Sequence, residues 1–260
     1  MLYFDVSEYR QRLNKTKEQM AKKGLDGLIV TDPANMNYIS GYDGWSFYVH
    51  QGLIIFKDKD QPVWFGRAQD SNGARITTWL DDDNIIGYPD HYVQSQTIHA
   101  YDFVVDLIKE HECADKTIGV EKDNYYFTAR CYEHLVKGLP IAKILDGELI
   151  INWLRAIKSD KEIDYMKMAG KILENVMETA VNLIEPGVRE GDVAAQVYKT
   201  MIAGTKEFTG DYAAIIPIMP SGRRTTTAHL SWTDRKYQKD EIVLLELSGC
   251  KHRYHAPLSR

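Results

Sequence analysis

The stretch Arg155-Ala156-Ile157-Lys158-Ser159-Asp160-Lys161-Glu162-Ile163 divides the chain into two parts with different secondary-structure patterns. Immediately after it, a long helix capped by Asp160 is predicted over residues 161–184, and a second helix over residues 190–203. Before it, short apolar segments alternate with amphipathic ones. We therefore expect a domain boundary near residue 155.

Strands follow the two helices, with predicted ranges of residues 213–219 and 241–247. Helices first and strands second are typical of an α+β domain. Pro257-Leu258-Ser259-Arg260 comes directly after the second strand and its turn, and no helix or cap closes the domain. We therefore expect residues 156–260 to be an incomplete domain with an unpaired strand, and a chain ending there to be inactive by itself.

The preceding part of the chain, residues 1–155, alternates helices and strands and predicts an α/β domain with a mixed or parallel sheet. A turn is expected at Thr31-Asp32-Pro33-Ala34-Asn35, where proline interrupts the pattern. The predicted helices are residues 6–24, 101–110 and 128–137, and the predicted strands are residues 25–30, 49–56, 62–65 and 117–120.

The composition excludes several classes of partner and compartment. The chain has 44% hydrophobic and 27% charged residues and a net charge of −5 without a basic run, which argues against nucleic acid and anionic membranes as partners. Its longest apolar runs are too short to cross a bilayer, and Met1-Leu2-Tyr3-Phe4-Asp5 does not resemble a signal peptide. The three cysteines, Cys113, Cys131 and Cys250, form no C-x-x-C pair, so we expect a cytoplasmic protein without a disulfide framework or zinc cage.

Several stretches resemble the creatinase, aminopeptidase P and prolidase superfamily. Residues 26–30 and 37–42 are similar to its N-terminal domain, and residues 155–163 with 185–190 are similar to the entry of its catalytic domain. The resemblance implies a creatinase-like α/β N-terminal domain followed by an incomplete α+β domain of the pita-bread fold. It also implies a homodimer that acts on a small molecule.

The end of the chain carries the family's site pattern in altered form. In metal-dependent relatives a substrate-contacting histidine precedes the first metal-binding Asp by the 17 positions that separate His229 from Glu246 here. Tyr254 and Arg260 also match family positions, but Glu246 replaces the first Asp and Pro257 replaces the second. Proline has no side-chain ligand atom, so the resemblance implies a metal site that has been lost.

His252 and His255 leave an alternative open, because imidazoles and a carboxylate can form a rebuilt mononuclear metal site. Histidines in a strand and turn are more often hydrogen-bonding or surface groups, so we expect no metal and no other cofactor. Residues 228–232 and 246–260 resemble the metal-free ectoine hydrolases in particular. That resemblance implies ring opening of the cyclic amidine ectoine to N-acetyl-diaminobutyrate.

Hydrolysis of an amidine needs a proton donor for the departing nitrogen and a carboxylate for the cationic carbon. His229 transfers protons near neutral pH, and Glu246 either pairs with the amidinium group or attacks it as a nucleophile. The competing structural interpretation is that Glu246 pairs with Arg253 or Arg260 and that His229 is a core residue.

Other residues are weaker candidates for substrate binding. By the resemblance, Trp45, Phe47 and Arg67 of one chain lie near the neighbouring chain's site, although these rings can equally be core or dimer packing. Trp232 is expected to line the substrate pocket near His229, and Tyr254 and His255 are expected to contact the substrate there. The turn Ser221-Gly222-Arg223-Arg224 can bind a substrate carboxylate, but flexible turns with two arginines are more often exposed to solvent without a ligand.

Two further functions remain open. One is a creatinase-like amidinohydrolase or an Xaa-Pro dipeptidase or aminopeptidase with a repaired metal site. The other is a binding module of the same fold that has lost catalysis. The presence of His229 favours an enzyme, because a module without catalysis does not need a proton-transfer residue.

Overall fold

The computed structural model describes residues 2–260, which form two compact units divided between Ile157 and Lys158. The sequence placed the boundary two residues earlier, near residue 155. Within residues 2–260, none of the helices combines the length and the apolar character of a transmembrane span. The helices and strands of the first unit are α1 (Val6–Lys22), β1 (Gly27–Val30), α2 (Pro33–Ser40), β2 (Gly52–Phe56), β3 (Val63–Arg67), α3 (Ser71–Thr77), β4 (Ile85–Tyr88), α4 (Ala100–Glu110), β5 (Thr117–Val120), α5 (Ala129–Gly138), β6 (Lys143–Asp146) and α6 (Ile150–Ala156).

A six-stranded mixed sheet forms the centre of the first unit, in the order β4-β3-β2-β1-β5-β6. β2 runs antiparallel to both β1 and β3, and the other neighbouring strands are parallel. Every residue of β1 and β2 is buried, which explains why the sequences of these two strands are continuous apolar runs. Helices α4 and α5 cover the sheet with buried apolar residues. The predicted α/β class is therefore confirmed.

The expected turn at residues 31–35 is wrong, because helix α2 begins inside it. The Asp32 carboxylate accepts hydrogen bonds from the backbone N–H groups of Ala34 (2.8 Å) and Asn35 (3.0 Å). Pro33 occupies the first helical position, where a missing N–H costs nothing. Gly41 ends the helix with a left-handed backbone (φ 85°). The Asp-Pro pair is thus a helix start.

The second unit contains α7 (Asp160–Leu183), α8 (Glu190–Ala203), β7 (Glu246–Lys251) and β8 (Tyr254–Ser259). The cap of α7 is Ser159, not Asp160 as predicted. The Ser159 hydroxyl accepts from the Glu162 N–H, and the Glu162 carboxylate accepts from the Ser159 N–H. This reciprocal pair is a capping box, and a serine followed three residues later by glutamate is its sequence signature.

The predicted strands of the second unit are only partly correct. Residues 213–219 form no strand, although Ile218 makes an isolated bridge to Glu246. The second strand is displaced to Glu246–Lys251 and is not unpaired, because β8 lies antiparallel to it. His252 and Arg253 reverse the chain between them with positive φ angles of 50° and 69°. Such turn angles are uncommon for these residue types and left no signal in the sequence.

Candidate active site

The β7–β8 hairpin has two chemically different faces. Residues opposite each other in an antiparallel pair share a face, and neighbours along a strand alternate. Glu246 is opposite Ser259, and Cys250 is opposite His255, which puts these four side chains on one face. Leu247, Gly249 and Lys251 of β7 point to the other face.

The second face is closed by helix α7. Leu247 belongs to the apolar core that α7 and α8 form with the hairpin. At Gly249 the helix is so near that an added Cβ would lie 2.1 Å from the Ala169 carbonyl oxygen. A side chain at that position would push helix and strand apart, so only the Glu246 face is available for a ligand.

Glu246 has its backbone fixed and its carboxylate without a protein partner. Its N–H donates to the Ile218 carbonyl (2.9 Å), and its own carbonyl accepts from the Ile218 N–H (3.1 Å). The side chain is half-buried, and no hydrogen bond or ion pair to its carboxylate occurs among residues 2–260. The alternative pairing with Arg253 or Arg260 is therefore absent from the described residues. A partly buried carboxylate in this state favours a cationic ligand.

Tyr254 and Arg260 lie on the helix-facing side of the hairpin, away from Glu246. Tyr254 is opposite Lys251, and its hydroxyl donates to Glu162 Oε1 (2.7 Å). Arg260 exchanges backbone hydrogen bonds with Leu245. The sequence spacing grouped these residues with Glu246, because spacing alone ignores the alternation of side chains along a strand.

His255 shares the face of Glu246, but both of its ring nitrogens are engaged by backbone. Nε2 accepts from the Ala214 N–H (2.9 Å), and Nδ1 lies 3.0 Å from the Arg253 carbonyl oxygen and donates to it. Burial lowers the pKa of His255, which keeps this neutral tautomer. The imidazole therefore has no free polar atom for a substrate. Its role is to hold the backbone of Ala214 in place.

His229 lies in the exposed loop that follows a short turn of helix at Gly222–Thr226. Its φ of 63° is left-handed, and its ring has no hydrogen-bond partner among residues 2–260. It is therefore not the core histidine of the competing interpretation. No contact between His229 and Glu246 is present in the described residues, so the structure does not bring the two predicted catalytic groups together.

The base of the His229 loop is held by a buried glutamate that sequence reasoning missed. Glu190, at the first position of α8, is fully buried and accepts from the Ser221 hydroxyl (2.5 Å) and from Arg224 (3.0 Å). Its second oxygen also accepts from the N–H and the hydroxyl of Thr233, both at 2.7 Å. Arg224 further donates to the Ser231 carbonyl (2.8 Å).

This network corrects the solvated turn expected at residues 221–224, because Ser221 is buried and Arg224 pairs with Glu190. Trp232, on the same loop, packs its ring edge-on against Tyr198 of α8 (5.7 Å between centroids). It contributes to the core of the unit and anchors the loop. The Glu190 network thus fixes both ends of the segment that carries His229.

In the first unit, Trp45 and Phe47 form an aromatic cluster with Tyr48. Their rings lie 4.9 Å (Trp45–Phe47) and 6.2 Å (Trp45–Tyr48) apart, and Trp45 is 62% exposed. The segment is held by a buried polar triad in which Gln51 Oε1 accepts from the hydroxyls of Ser46 (2.7 Å) and Tyr42 (3.0 Å). The cluster is therefore a fixed surface feature.

Arg67, the third candidate of the first unit, is already paired. Its guanidinium binds the Asp90 carboxylate through two hydrogen bonds, Nε–Oδ1 (2.8 Å) and Nη2–Oδ2 (3.0 Å). A bidentate pair of this kind occupies the fork that would recognise a substrate carboxylate. The geometry favours a structural role for Arg67.

Comparison with known families gives this architecture a name. Residues 12–157 match the Creatinase/Prolidase N-terminal domain, and residues 164–260 match Metallopeptidase family M24. The chain belongs to the creatinase/prolidase family. Its first unit is the creatinase-type N-terminal domain, and its second unit belongs to the M24 pita-bread domain, as the resemblance implied.

Curated relatives and solved structures agree with this assignment. The chain is 45% identical over its whole length to an uncharacterised hydrolase/peptidase, y4tM, of Sinorhizobium fredii, and 42% identical to the ectoine hydrolase of Halomonas elongata. It spans 66% of the length of each of these two relatives. The prolidase structure from Pyrococcus furiosus matches with a TM-score of 0.76 at 20% identity, over 95% of this chain and 69% of that one.

The residues of this creatinase/prolidase member do not fit a dinuclear metal site at the two family positions. Pro257 is opposite Ser248 and lies on the Glu246 face, where the second carboxylate would be, but it has no side-chain ligand atom. The nitrogens of His255 are engaged by backbone. The His252 ring packs against Tyr165 at 4.6 Å, on the α7 side of the hairpin. A bridging ligand is therefore missing among the described residues.

Proposed function

We propose that the protein hydrolyses a C–N bond in a cyclic amidine, opening the ring of ectoine to N-acetyl-diaminobutyrate. The observation that carries the proposal is the half-buried Glu246 carboxylate, which has no protein partner among residues 2–260 and faces the position of Pro257. The 42% identity to a protein named ectoine hydrolase supports the choice of substrate.

The proposed chemistry uses a cationic amidinium as the partner of Glu246. The two N–H groups of an amidinium match the two oxygens of a carboxylate, as the fork of arginine does. Water adds to the amidine carbon, one ring C–N bond breaks, and the nitrogen leaves as an amine after it gains a proton. His229 supplies that proton in our proposal, since imidazole is a common general acid and this ring is unpaired among residues 2–260.

We propose that this reaction runs without a metal ion. Pro257 replaces a ligand that a bridged pair of metal ions requires. Positive charge on the substrate then takes the place that metal charge holds in a metallopeptidase. Glu246 stabilises that charge or attacks the carbon, and trapping a glutamyl adduct by mass spectrometry would distinguish the two roles.

The test follows ectoine by ¹H NMR with the protein as its gene encodes it. We expect loss of the ring signals and growth of the N-acetyl-diaminobutyrate signals without added metal. Creatine and an Xaa-Pro dipeptide serve as comparison substrates. Turnover of either in the absence of ectoine turnover would overturn the proposal, and so would binding of ectoine without any turnover.

We also propose a cytoplasmic homodimer in which the Trp45 cluster lends an aromatic face to the partner's site. Trp45 and Tyr48 are 62% and 59% exposed, which is unusual for rings on a fixed segment. Light scattering is expected to give a dimer, and Trp45→Ser is expected to weaken ectoine binding or dimerisation. Trp153→Ser, at another exposed tryptophan (72%), is the matched control. A fully active monomer would contradict the proposal.

A further inference from the structure

Three side chains with metal-binding atoms meet in the first unit, far along the sequence from the candidate active site. His50 precedes β2, His99 caps α4 and Cys131 lies in the first turn of α5. One ligand atom from each lies within 4.8 Å of the other two. Because the three residues come from separate parts of the chain, no spacing motif in the sequence indicated the cluster.

The distances suit a tetrahedral ion. Metal–nitrogen and metal–sulfur bonds of about 2.1 and 2.3 Å at a tetrahedral angle separate the two ligand atoms by about 3.6 Å. His50 Nδ1 and Cys131 Sγ are 3.6 Å apart. Imidazole and thiolate together select borderline-soft divalent ions such as Zn²⁺.

Cys131 would bind the ion as a thiolate. Binding forms a metal–sulfur bond, breaks the S–H bond and releases one proton to solvent.

A buried hydroxyl lies beside this cluster. The Tyr101 side chain is only 1% exposed, and its hydroxyl lies against the Cys131 thiol. The Tyr101 ring centroid lies 5.9 Å from those of both imidazoles. A thiolate at Cys131 would be a stronger acceptor for this hydroxyl than the thiol is.

The cluster also borders a cavity of about 390 Å³ that His50 and His99 line together with Phe47, Tyr92 and Tyr126. Three protein ligands leave a fourth coordination position open, as in zinc sites that bind water or a substrate atom. The cavity offers that position room for a small molecule between aromatic walls.

The competing explanation is that the three residues are ordinary core groups, since His99 Nδ1 already accepts from the Tyr101 N–H (3.2 Å). Coordination through this nitrogen exchanges that bond for a metal bond. The other half of the capping box, from the His99 N–H to Asp102 (2.8 Å), is unaffected. The second ring neighbour, His134, stacks on His99 at 4.6 Å and would hold its orientation.

We propose that His50, His99 and Cys131 bind one divalent transition-metal ion of the zinc class, with its open position facing the cavity of the first unit. The probe is Co²⁺ added to the chelated protein as its gene encodes it, because a cobalt–thiolate bond gives charge-transfer absorption in the near-ultraviolet. We expect saturation at about one Co²⁺ per chain and displacement by Zn²⁺.

Matched variants assign the site. Cys131→Ser is expected to abolish the charge-transfer band, and His50→Gln is expected to weaken Co²⁺ binding by at least about tenfold. Cys113→Ser and His91→Gln, a thiol and an imidazole of the same unit outside the cluster, should leave both unchanged. Cys250→Ser controls for the Cys250 Sγ–His255 Nδ1 pair, which are 4.0 Å apart.

Circular dichroism checks that each variant is folded, and His50→Gln keeps the test valid if Cys131→Ser fails to fold. An unchanged Co²⁺ affinity in His50→Gln, or loss of the band in Cys250→Ser, would overturn the proposal. Failure of the wild-type chain to bind Co²⁺ or Zn²⁺ at micromolar concentration would overturn it as well. These results are independent of ectoine turnover.

Discussion

Glu246 and Pro257 lie on the same face of the β7–β8 hairpin, one diagonal step apart, since Glu246 is opposite Ser259 and Pro257 is opposite Ser248. The backbone bonds of Leu245 with Arg260 make the Ser248–Pro257 pair a non-hydrogen-bonded one. Proline therefore fits in β8 without losing a ladder bond. The position can lose its metal ligand while the hairpin stays intact.

Removing the charge of Glu246 is the most direct test of the candidate site. Glu246→Gln is expected to lower ectoine turnover by at least about a hundredfold, because the neutral amide cannot stabilise an amidinium or act as a nucleophile. The unfolding midpoint should not fall, since the carboxylate has no protein partner among residues 2–260. Glu174→Gln, on the exposed side of α7, is the control. Near-normal kinetics in Glu246→Gln would refute the assignment.

Chelation separates a metal-free hydrolase from a metallopeptidase. Exhaustive treatment with EDTA is expected to change ectoine turnover by no more than about twofold, because Pro257 cannot bridge two ions. The measurement is repeated in Cys131→Ser, which lacks the metal site proposed for the first unit. Loss of turnover in that variant, with recovery on adding one divalent metal, would point to an ion in the second unit.

Tyr254→Phe distinguishes a structural tyrosine from a substrate-binding one. The variant removes the hydroxyl that donates to Glu162 Oε1, in the capping box of α7. We expect a loss of about 1–2 kcal/mol in the free energy of unfolding, measured with urea, because Glu162 is only 3% exposed. KM for ectoine should stay within about twofold. A large rise in KM with unchanged stability would restore Tyr254 to the substrate site.

The ion pair between Arg235 and Glu241 predicts a pH dependence of stability. The hydrogen bond from Arg235 lowers the pKa of Glu241 below its ordinary value of 4.5. Stabilisation is therefore present above about pH 4.5 and is lost as the pH falls through the lower folded-state pKa. Urea unfolding at pH 7, 5, 4 and 3 should show the gap between wild type and Glu241→Gln closing on acidification. Glu207→Gln should show no such closing gap, whereas a constant gap for Glu241→Gln would contradict the assignment.

Local signals in the sequence were sufficient for much of the fold. The apolar run of β1 specifies its strand, and α7 was predicted to within one residue of its start, although Asp160 was taken as its cap and the Ser159–Glu162 capping box was missed. Strand β8 was missed because its proline is acceptable only in one register of an antiparallel edge, and a single segment does not reveal its register.

The candidate site was harder to predict because its contacts join distant residues. Glu190 meets Ser221, Arg224 and Thr233, which lie 31, 34 and 43 positions away. No local pattern marks a carboxylate as the centre of such a network. Glu246 was found through the family's spacing, and the same spacing misplaced Tyr254, whose hydroxyl lies on the opposite face of the hairpin.

The close approach of α7 to Gly249 has a consequence for how this protein can evolve. One face of the β7–β8 hairpin cannot accept a larger residue at Gly249, because any side chain there meets the backbone of Ala169. The other face carries Glu246 and Pro257, whose replacement leaves the helix contact untouched. The proposed reaction chemistry and the folding stability thus depend on opposite sides of the same two strands. New substrate specificities can be selected, or engineered, on one side without compensating mutations on the other.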